Sequence, residues 1–225
     1  MGPGAGGPLW WGAALVLAAL TVAATPLVLR RLPAPVGEPD ARPYDGLVTR
    51  RFLGIVGAAS TVALLVSFEF VPVQSRLAWA GLGTAGVLLA VVDAHTGYLP
   101  RRVSHALTAI VGLGILLLAV RSPPAGAVAL GLASGAGALF WGLWRWGGGL
   151  GFGDVRLAVA VAGTAATYAP ALALAGLLLG SVAGLVWALL ARWRRGRDGP
   201  VPYGPALVAG PYLALLVQAL LTASG

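Results

Sequence analysis

Long apolar runs, separated by short polar segments rich in arginine, follow one another along the whole chain. Each run approaches the roughly 20 residues that a helix needs to cross the hydrocarbon core of a bilayer. Because a helix satisfies its backbone hydrogen bonds within one segment, the runs predict transmembrane helices. The pattern therefore predicts an all-α, polytopic integral membrane protein with about eight spans. We place these spans at about residues 9–29, 52–71, 77–93, 104–120, 127–144, 155–169, 171–190 and 205–222.

The composition agrees with a membrane protein. Of the 225 residues, 58% are hydrophobic and only 10% are charged, and the mean hydropathy is +0.87. A soluble domain of this length needs more charge to cover its surface. We therefore expect residues 1–225 to form a single membrane domain, in which two spans at 9–71 precede a core at 77–222.

The distribution of arginine predicts an orientation. Arginine supplies all fifteen basic residues, and all but Arg76 and Arg121 fall in the connections after the first, third, fifth and seventh runs. Short loops rich in arginine stay in the cytoplasm, so these connections are expected there and the N-terminus is expected outside. The lipid bilayer is the expected partner. Nucleic acid is not, because the arginines do not form a soluble basic face.

Two of the seven acidic residues lie at the ends of apolar runs on the predicted cytoplasmic side. Asp93 ends the run GTAGVLLAVV, and Asp154 opens the run VRLAVAVAG. Either acid alone could simply mark a helix end in the headgroup region. A pair of carboxylates brought together shares one proton, so one can activate water while the other polarises a carbonyl group. The two aspartates therefore predict aspartic-protease chemistry, which needs no metal and no cofactor.

Gly151 and Gly153 flank the second aspartate in the stretch GFGD. Glycine tolerates positive φ and allows close approach by another chain, so we expect positive φ here and an extended peptide beside Asp154. The dipole of the helix that starts here would stabilise a negative charge. Because the sixth run is short, the turn is expected to dip below the membrane surface and line a watery cavity. The alternative is a plain glycine-rich connection with Asp154 as the N-cap.

These motifs resemble the prepilin peptidases, or type IV leader peptidases, a family of GxGD-type membrane aspartic proteases. The resemblance rests on D-A-H-T-G-Y-L-P, G-F-G-D-V-R-L and V-P-Y-G-P in that order, and it covers about residues 77–222 as the peptidase core. It implies that Asp93 and Asp154 are catalytic. It further implies an active-site turn of Gly151, Gly153 and Arg156, and a supporting motif of Leu99, Pro100, Tyr203, Gly204 and Pro205. Arg156 stands where lysine is usual in the family.

The resemblance implies an endopeptidase that removes the leader peptides of prepilin-like proteins in type IV pilus or type II secretion systems. Such proteins would be its substrates, and its active site would face the cytoplasm in a multi-pass protein of the inner (plasma) membrane. Long members of the family carry a cysteine-containing region linked to N-methylation of the product. This chain has no cysteine, so it resembles a short form for which peptidase activity without methyltransferase activity is expected.

Two other functions remain open at this point. In a small proton-coupled transporter the two aspartates would relay protons, although relay acids are expected nearer the middle of the bilayer. An inactive pilus or secretion assembly partner would keep the motifs without hydrolysis. His95 and His105 could bind a metal together with carboxylates, but their separation does not place them on one helix face, and no metal is expected. The sequence leaves the oligomeric state open.

Overall fold

A computed structural model describes residues 7–33, 43–147, 150–195 and 202–223, and the regular structure of these residues is entirely helical. A 3-10 turn at Tyr44–Leu47 precedes the second helix, and the third contains a π-helical segment at Leu82–Gly86. The all-α prediction is confirmed for the described residues. The eight main helices are α1 (Pro8–Arg30), α2 (Arg50–Phe70), α3 (Val73–Thr96), α4 (Arg101–Arg121), α5 (Pro123–Gly147), α6 (Phe152–Ala166), α7 (Pro170–Arg195) and α8 (Gly204–Ala223).

Seven of these helices are long and apolar enough to cross a membrane. The shorter one is α6, whose 15 residues give a length of about 22 Å against a hydrocarbon core of about 30 Å. Eleven of its 15 residues are buried, because α6 packs against α3, α4, α5, α7 and α8. The helices lie close to the eight predicted spans, and their length and composition indicate a multi-pass membrane protein.

The helices alternate in direction, which brings the arginine-rich connections to one end of the bundle. At that end the Arg102 Nη1, in the first turn of α4, donates a hydrogen bond to the carbonyl oxygen of Arg31, just after α1, at 3.1 Å. At the opposite end the Ser75 hydroxyl donates to the carbonyl oxygen of Thr167, just after α6, at 2.6 Å. We call the end at Arg31 and Arg102 the arginine-rich end. Glu38, Asp40, Arg42, Arg197 and Asp198, which the sequence places in its connections, lie outside the described residues.

Arg76, one of the two arginines predicted opposite that end, is buried inside the bundle with 5% of its surface exposed. Its guanidinium carbon lies 4.1 Å from the centre of the Trp10 ring. The guanidinium donates to the carbonyl oxygens of Phe68 and Val71 at the end of α2, at 2.9 and 3.1 Å. The last carbonyl groups of a helix have no partner within that helix. Arg76 therefore caps α2 and joins it to α1 and α3.

Glycines allow α7 and α8 to cross at close range. A Cβ atom added to Gly210 would overlap the carbonyl group of Gly176, and one added to Gly176 would lie 3.1 Å from the Pro211 Cα atom. Small residues let helix backbones approach each other in lipid, where packing is a main source of helix association. The crossing positions α8, and the first residue of α8 belongs to the candidate site described below.

We predict that Gly210→Val lowers the midpoint of thermal unfolding of the detergent-solubilised protein by several degrees. The added side chain must separate α7 from α8, and overpacking of this kind costs about 1–3 kcal/mol. Gly131→Val on α5 is the matched control, because a Cβ atom at Gly131 meets nothing within 4 Å. Equal unfolding midpoints for the two variants would contradict the described helix crossing.

Candidate active site

Asp93 lies near the end of α3, at the arginine-rich end of the bundle, and only 4% of its surface is exposed. Its Oδ2 accepts a hydrogen bond from the amide of Gly204, the first residue of α8, at 2.8 Å. Helix α3 ends one turn later at Gly97, which has a φ of 71° and donates its amide to the Asp93 carbonyl oxygen. A glycine in the left-handed conformation is a common helix end. The stretch DAHTG thus ends the helix one turn after the aspartate.

Asp154 is the third residue of α6 and is also buried, with 8% of its surface exposed. Its Oδ2 accepts a hydrogen bond from the Gly151 amide at 2.9 Å, and its own amide donates to the Gly151 carbonyl oxygen at 3.0 Å. Gly151 is the N-cap residue, so the alternative that placed Asp154 at the N-cap is wrong. The aspartate occupies the third helical position, as the acid of a capping box does.

The glycines of GFGD do not adopt the backbone conformation that the sequence led us to expect. Gly151 has a φ of −80°, and Gly97 is the one described residue with positive φ. The expectation of positive φ at Gly151 and Gly153 is therefore wrong. At Gly153 the missing side chain instead permits a close contact, since a Cβ atom there would lie 2.8 Å from the Leu99 Cβ. The GFGD and YLP motifs consequently pack against each other.

The two aspartates belong to different helices that meet at this end of the bundle, since Gly153, next to Asp154, packs on Leu99, six residues after Asp93. Each is held by an amide at a helix N-terminus: α6 supplies the start beside Asp154, and α8 supplies the start beside Asp93. The positive end of a helix dipole stabilises an anion placed at it. The arrangement therefore fixes two acidic groups, with defined orientations, at one end of the bundle.

Tyr203 directly precedes α8 and lies beside Asp154. Its hydroxyl donates to the Ser181 Oγ at 2.8 Å, and its ring centre is 6.2 Å from that of Phe140. Burial raises the pKa of Tyr203; the hydrogen bond with Ser181 offsets part of this rise and the nearby Asp154 carboxylate adds to it. The phenol group therefore stays protonated at neutral pH and remains a hydrogen-bond donor.

The other predicted site residues occupy neighbouring positions. Pro100 is buried and immediately precedes α4, and Pro205 is the second residue of α8. Arg156 lies over the Phe152 ring at 4.6 Å, and that ring contacts the Trp144 ring at a centre-to-centre distance of 5.1 Å. Among the described residues Arg156 forms no ion pair with either aspartate, so the basic residue of the motif lies on an aromatic surface at the edge of the site.

The two histidines occupy separate positions, His95 on α3 and His105 on α4. The His95 Nδ1 is 2.8 Å from the Val91 carbonyl oxygen, and its ring centre is 5.3 Å from that of Phe52. His105 is exposed on α4. In the part of the chain that the structure describes, no three His, Cys, Asp or Glu side chains are grouped so that they could hold a metal ion.

Sequence reasoning missed the role of one predicted site residue and the contribution of three others. It placed Gly204 in a supporting motif but did not foresee that its amide would bind Asp93. It gave no role to Ser181, the partner of Tyr203, because a serine within an apolar helix carries no distinguishing pattern. Phe140 and Trp144 were likewise hidden among the many aromatic residues expected at the ends of membrane helices.

Comparisons with known protein families, with curated proteins and with solved structures found no match.

We predict that Asp93→Cys and Gly204→Cys together form an intramolecular disulfide on mild oxidation. A Cβ atom at Gly204 would lie 3.2 Å from the Asp93 Cβ, and a small shift reaches the roughly 3.5–4.5 Å of disulfides. The chain has no cysteine of its own, so the cross-link is unambiguous. The measurement is the intact mass after alkylation with and without reductant.

The control for this cross-link pairs Asp93→Cys with Val217→Cys. Val217 is an exposed residue of α8 and lies about 20 Å from Gly204 along the axis of that helix. We expect no intramolecular disulfide from the control pair. Free thiols at both positions of the Asp93 and Gly204 pair after oxidation would show that α8 does not begin beside Asp93.

Proposed function

We propose that this chain is a membrane aspartic endopeptidase that cleaves the leader peptides of prepilin-like proteins, with Asp93 and Asp154 as its catalytic pair. The observation that carries the proposal is the convergence of two buried aspartates from different helices, each held by a backbone amide. The choice of substrate rests on the resemblance of the three motifs to prepilin peptidases. The packing of Gly153 on Leu99, and of Gly204 on Asp93, supports that resemblance because the motifs meet in space.

In the proposed reaction the pair begins with one proton, because two like charges at short range oppose double ionisation. The ionised carboxylate takes a proton from a water molecule, whose oxygen attacks the peptide carbonyl carbon. The protonated carboxyl group donates its proton to the carbonyl oxygen, giving a neutral tetrahedral intermediate. Collapse of this intermediate breaks the C–N bond. The carboxyl group that took the water proton gives it to the leaving nitrogen, and the other carboxylate takes a proton from a hydroxyl group of the intermediate, so the pair again carries one proton.

We place the site at the cytoplasmic face of the inner (plasma) membrane, because the carboxylates lie at the arginine-rich end. This position also supports hydrolysis over a proton relay, the second candidate, since relay acids are expected near the bilayer middle. An inactive assembly partner would have the same geometry but would not cleave a prepilin. Measurements of cleavage therefore distinguish it from a peptidase.

We predict that Asp93→Asn and Asp154→Asn each reduce leader cleavage by several orders of magnitude while leaving membrane insertion intact. Asparagine keeps the size of aspartate and an oxygen that can accept the glycine amide, but it removes the ionisable group. Because the pair acts as a unit, the double variant should be little worse than either single one. The measurement is the rate of cleavage of a prepilin by the purified protein, followed by mass spectrometry of the product N-terminus.

Asp45→Asn is the matched control, because Asp45 is exposed and its Oδ1 also accepts a glycine amide, that of Gly46, at 2.9 Å. It should cleave at the rate of the unaltered protein. Near-normal cleavage by Asp93→Asn or Asp154→Asn would remove the two-carboxylate mechanism and leave the relay and the assembly partner as the remaining candidates.

We predict different outcomes for alanine at the two glycines that bind the aspartates. At Gly204 an added Cβ would lie 2.8 Å from the Asp93 Oδ2, so Gly204→Ala must displace the carboxylate and lower the cleavage rate at least tenfold. At Gly151 the same atom would lie 3.6 Å from the Asp154 Oδ2, an ordinary contact, so Gly151→Ala should change the rate less than threefold. Initial cleavage rates at matched amounts of folded protein provide the comparison, and equal losses in both variants would contradict it.

A further inference from the structure

A cavity of about 460 Å³, open to the surface of the bundle, lies between α1, α3 and α4, and it reaches the arginine-rich end. Each of the three helices contributes an alanine to the lining: Ala24 on α1, Ala85 on α3 and Ala106 on α4. It is separate from the candidate active site. Leu88 of α3 lines the cavity, whereas Asp93 of the same helix faces α8.

The lining of this cavity is apolar, because its threonines turn their hydroxyl groups towards their own helices. The hydroxyls of Thr21, Thr25 and Thr84 each donate to the carbonyl oxygen four residues earlier, at distances of 2.7–2.8 Å. The methyl groups of these threonines can therefore make contacts with groups other than the backbone of their own helix. The surface between the helices therefore suits a hydrocarbon chain better than a polar ligand.

Two arginines, Arg31 and Arg102, border the cavity at the arginine-rich end. Both are exposed, and the Arg102 Nη1 donates to the Arg31 carbonyl oxygen. Among the described residues no carboxylate forms an ion pair with either guanidinium. Guanidinium groups bind phosphate oxygens through several directed hydrogen bonds. The two side chains can therefore offer a phosphate group several donors next to an apolar groove.

The depth of the cavity matches one leaflet of a bilayer. Thr21 and Arg31 both line it, and the helical rise between them corresponds to about 15 Å. This is half of the roughly 30 Å hydrocarbon core. A chain that begins at the arginines and runs along α1 to Thr21 would thus span the leaflet in which the arginines lie.

We propose that this cavity binds one anionic phospholipid, with its phosphate group on Arg31 and Arg102 and an acyl chain between α1, α3 and α4. Charge complementarity selects an anionic lipid over a zwitterionic one, because two guanidinium groups meet one negatively charged headgroup. The inference depends on the placement of the helices in a membrane and not on the proposed peptidase activity. Its failure would leave the two-carboxylate site untouched.

The test uses the full-length protein purified in detergent and equilibrated with equal amounts of phosphatidylglycerol and phosphatidylcholine that carry the same acyl chains. Native mass spectrometry then counts the lipid molecules retained by each protein. We expect one phosphatidylglycerol per chain, retained about 20-fold in preference to phosphatidylcholine, since two arginines at a membrane surface each favour an anionic lipid. The variant Arg31→Gln/Arg102→Gln should lose this preference.

Arg50→Gln/Arg51→Gln is the charge-matched control, because both arginines are exposed at the same end and neither lines the cavity. It should keep the preference. Equal losses in the two double variants would mean that phosphatidylglycerol binds to the general surface charge, and this would overturn the proposed site. Equal retention of the two lipids by the unaltered protein would overturn it as well.

A second pair of variants tests the groove itself. Ala24→Phe should fill the cavity and reduce phosphatidylglycerol retention at least fivefold while both arginines remain. Ala23→Phe is the control, since the neighbouring residue is exposed on the same helix but lies outside the cavity lining. Unchanged retention in Ala24→Phe would overturn the acyl-chain part of the proposal. Complete displacement of the lipid by inorganic phosphate at the lipid's concentration would indicate a phosphate site instead.

Discussion

A carboxylate inside an apolar helix bundle loses its contact with water, so other dipoles must take the place of the water molecules. Backbone amides at helix N-termini do this for both aspartates: Gly151 for Asp154 and Gly204 for Asp93. A hydrogen bond to a charged group contributes about 1.5–3 kcal/mol. Because Gly204 begins α8 and Asp93 lies on α3, their bond also fixes where α8 starts relative to α3, whereas the bond between Gly151 and Asp154 orders the start of α6 itself. The order of the arginine-rich end depends on them.

The Gly204 amide can reach Asp93 only because residue 204 has no side chain, since a Cβ atom there would lie 2.8 Å from the Asp93 Oδ2. The same condition recurs around the site: a Cβ atom at Gly153 would collide with Leu99, and one at Gly184 would overlap the Tyr203 ring. The chain contains 34 glycines, but many of them face open space, as Gly131 does. The glycines at the contacts between α3, α6, α7 and α8 are thus the ones that determine the geometry of the site.

The number and approximate limits of the helices could be predicted from the sequence, because apolar length alone selects segments that can cross a bilayer. The placement of Asp93 and Asp154 at one end of the bundle could also be predicted, since acidic residues are few in this chain and these two adjoin apolar runs. The backbone conformation of GFGD could not be predicted, because glycine tolerates both signs of φ. The packing of Gly153 against Leu99 decides which conformation is adopted. The burial of Arg76 was hidden for a similar reason: only the folded chain brings Trp10 and the end of α2 to its guanidinium.

The manner in which the two aspartates are held bears on the kind of proton chemistry they support. A relay passes protons along a path through the membrane, which requires a series of groups at successive depths. Here the two carboxylates occupy one end of the bundle, and each is fixed by an amide. Fixed carboxylates favour a reaction that exchanges protons with a substrate held between them, because catalytic groups act best in a preorganised geometry. Tyr203, a protonated donor beside Asp154, adds a further oriented group to that end. For this reason we propose hydrolysis of a bound peptide rather than conduction of protons across the bilayer.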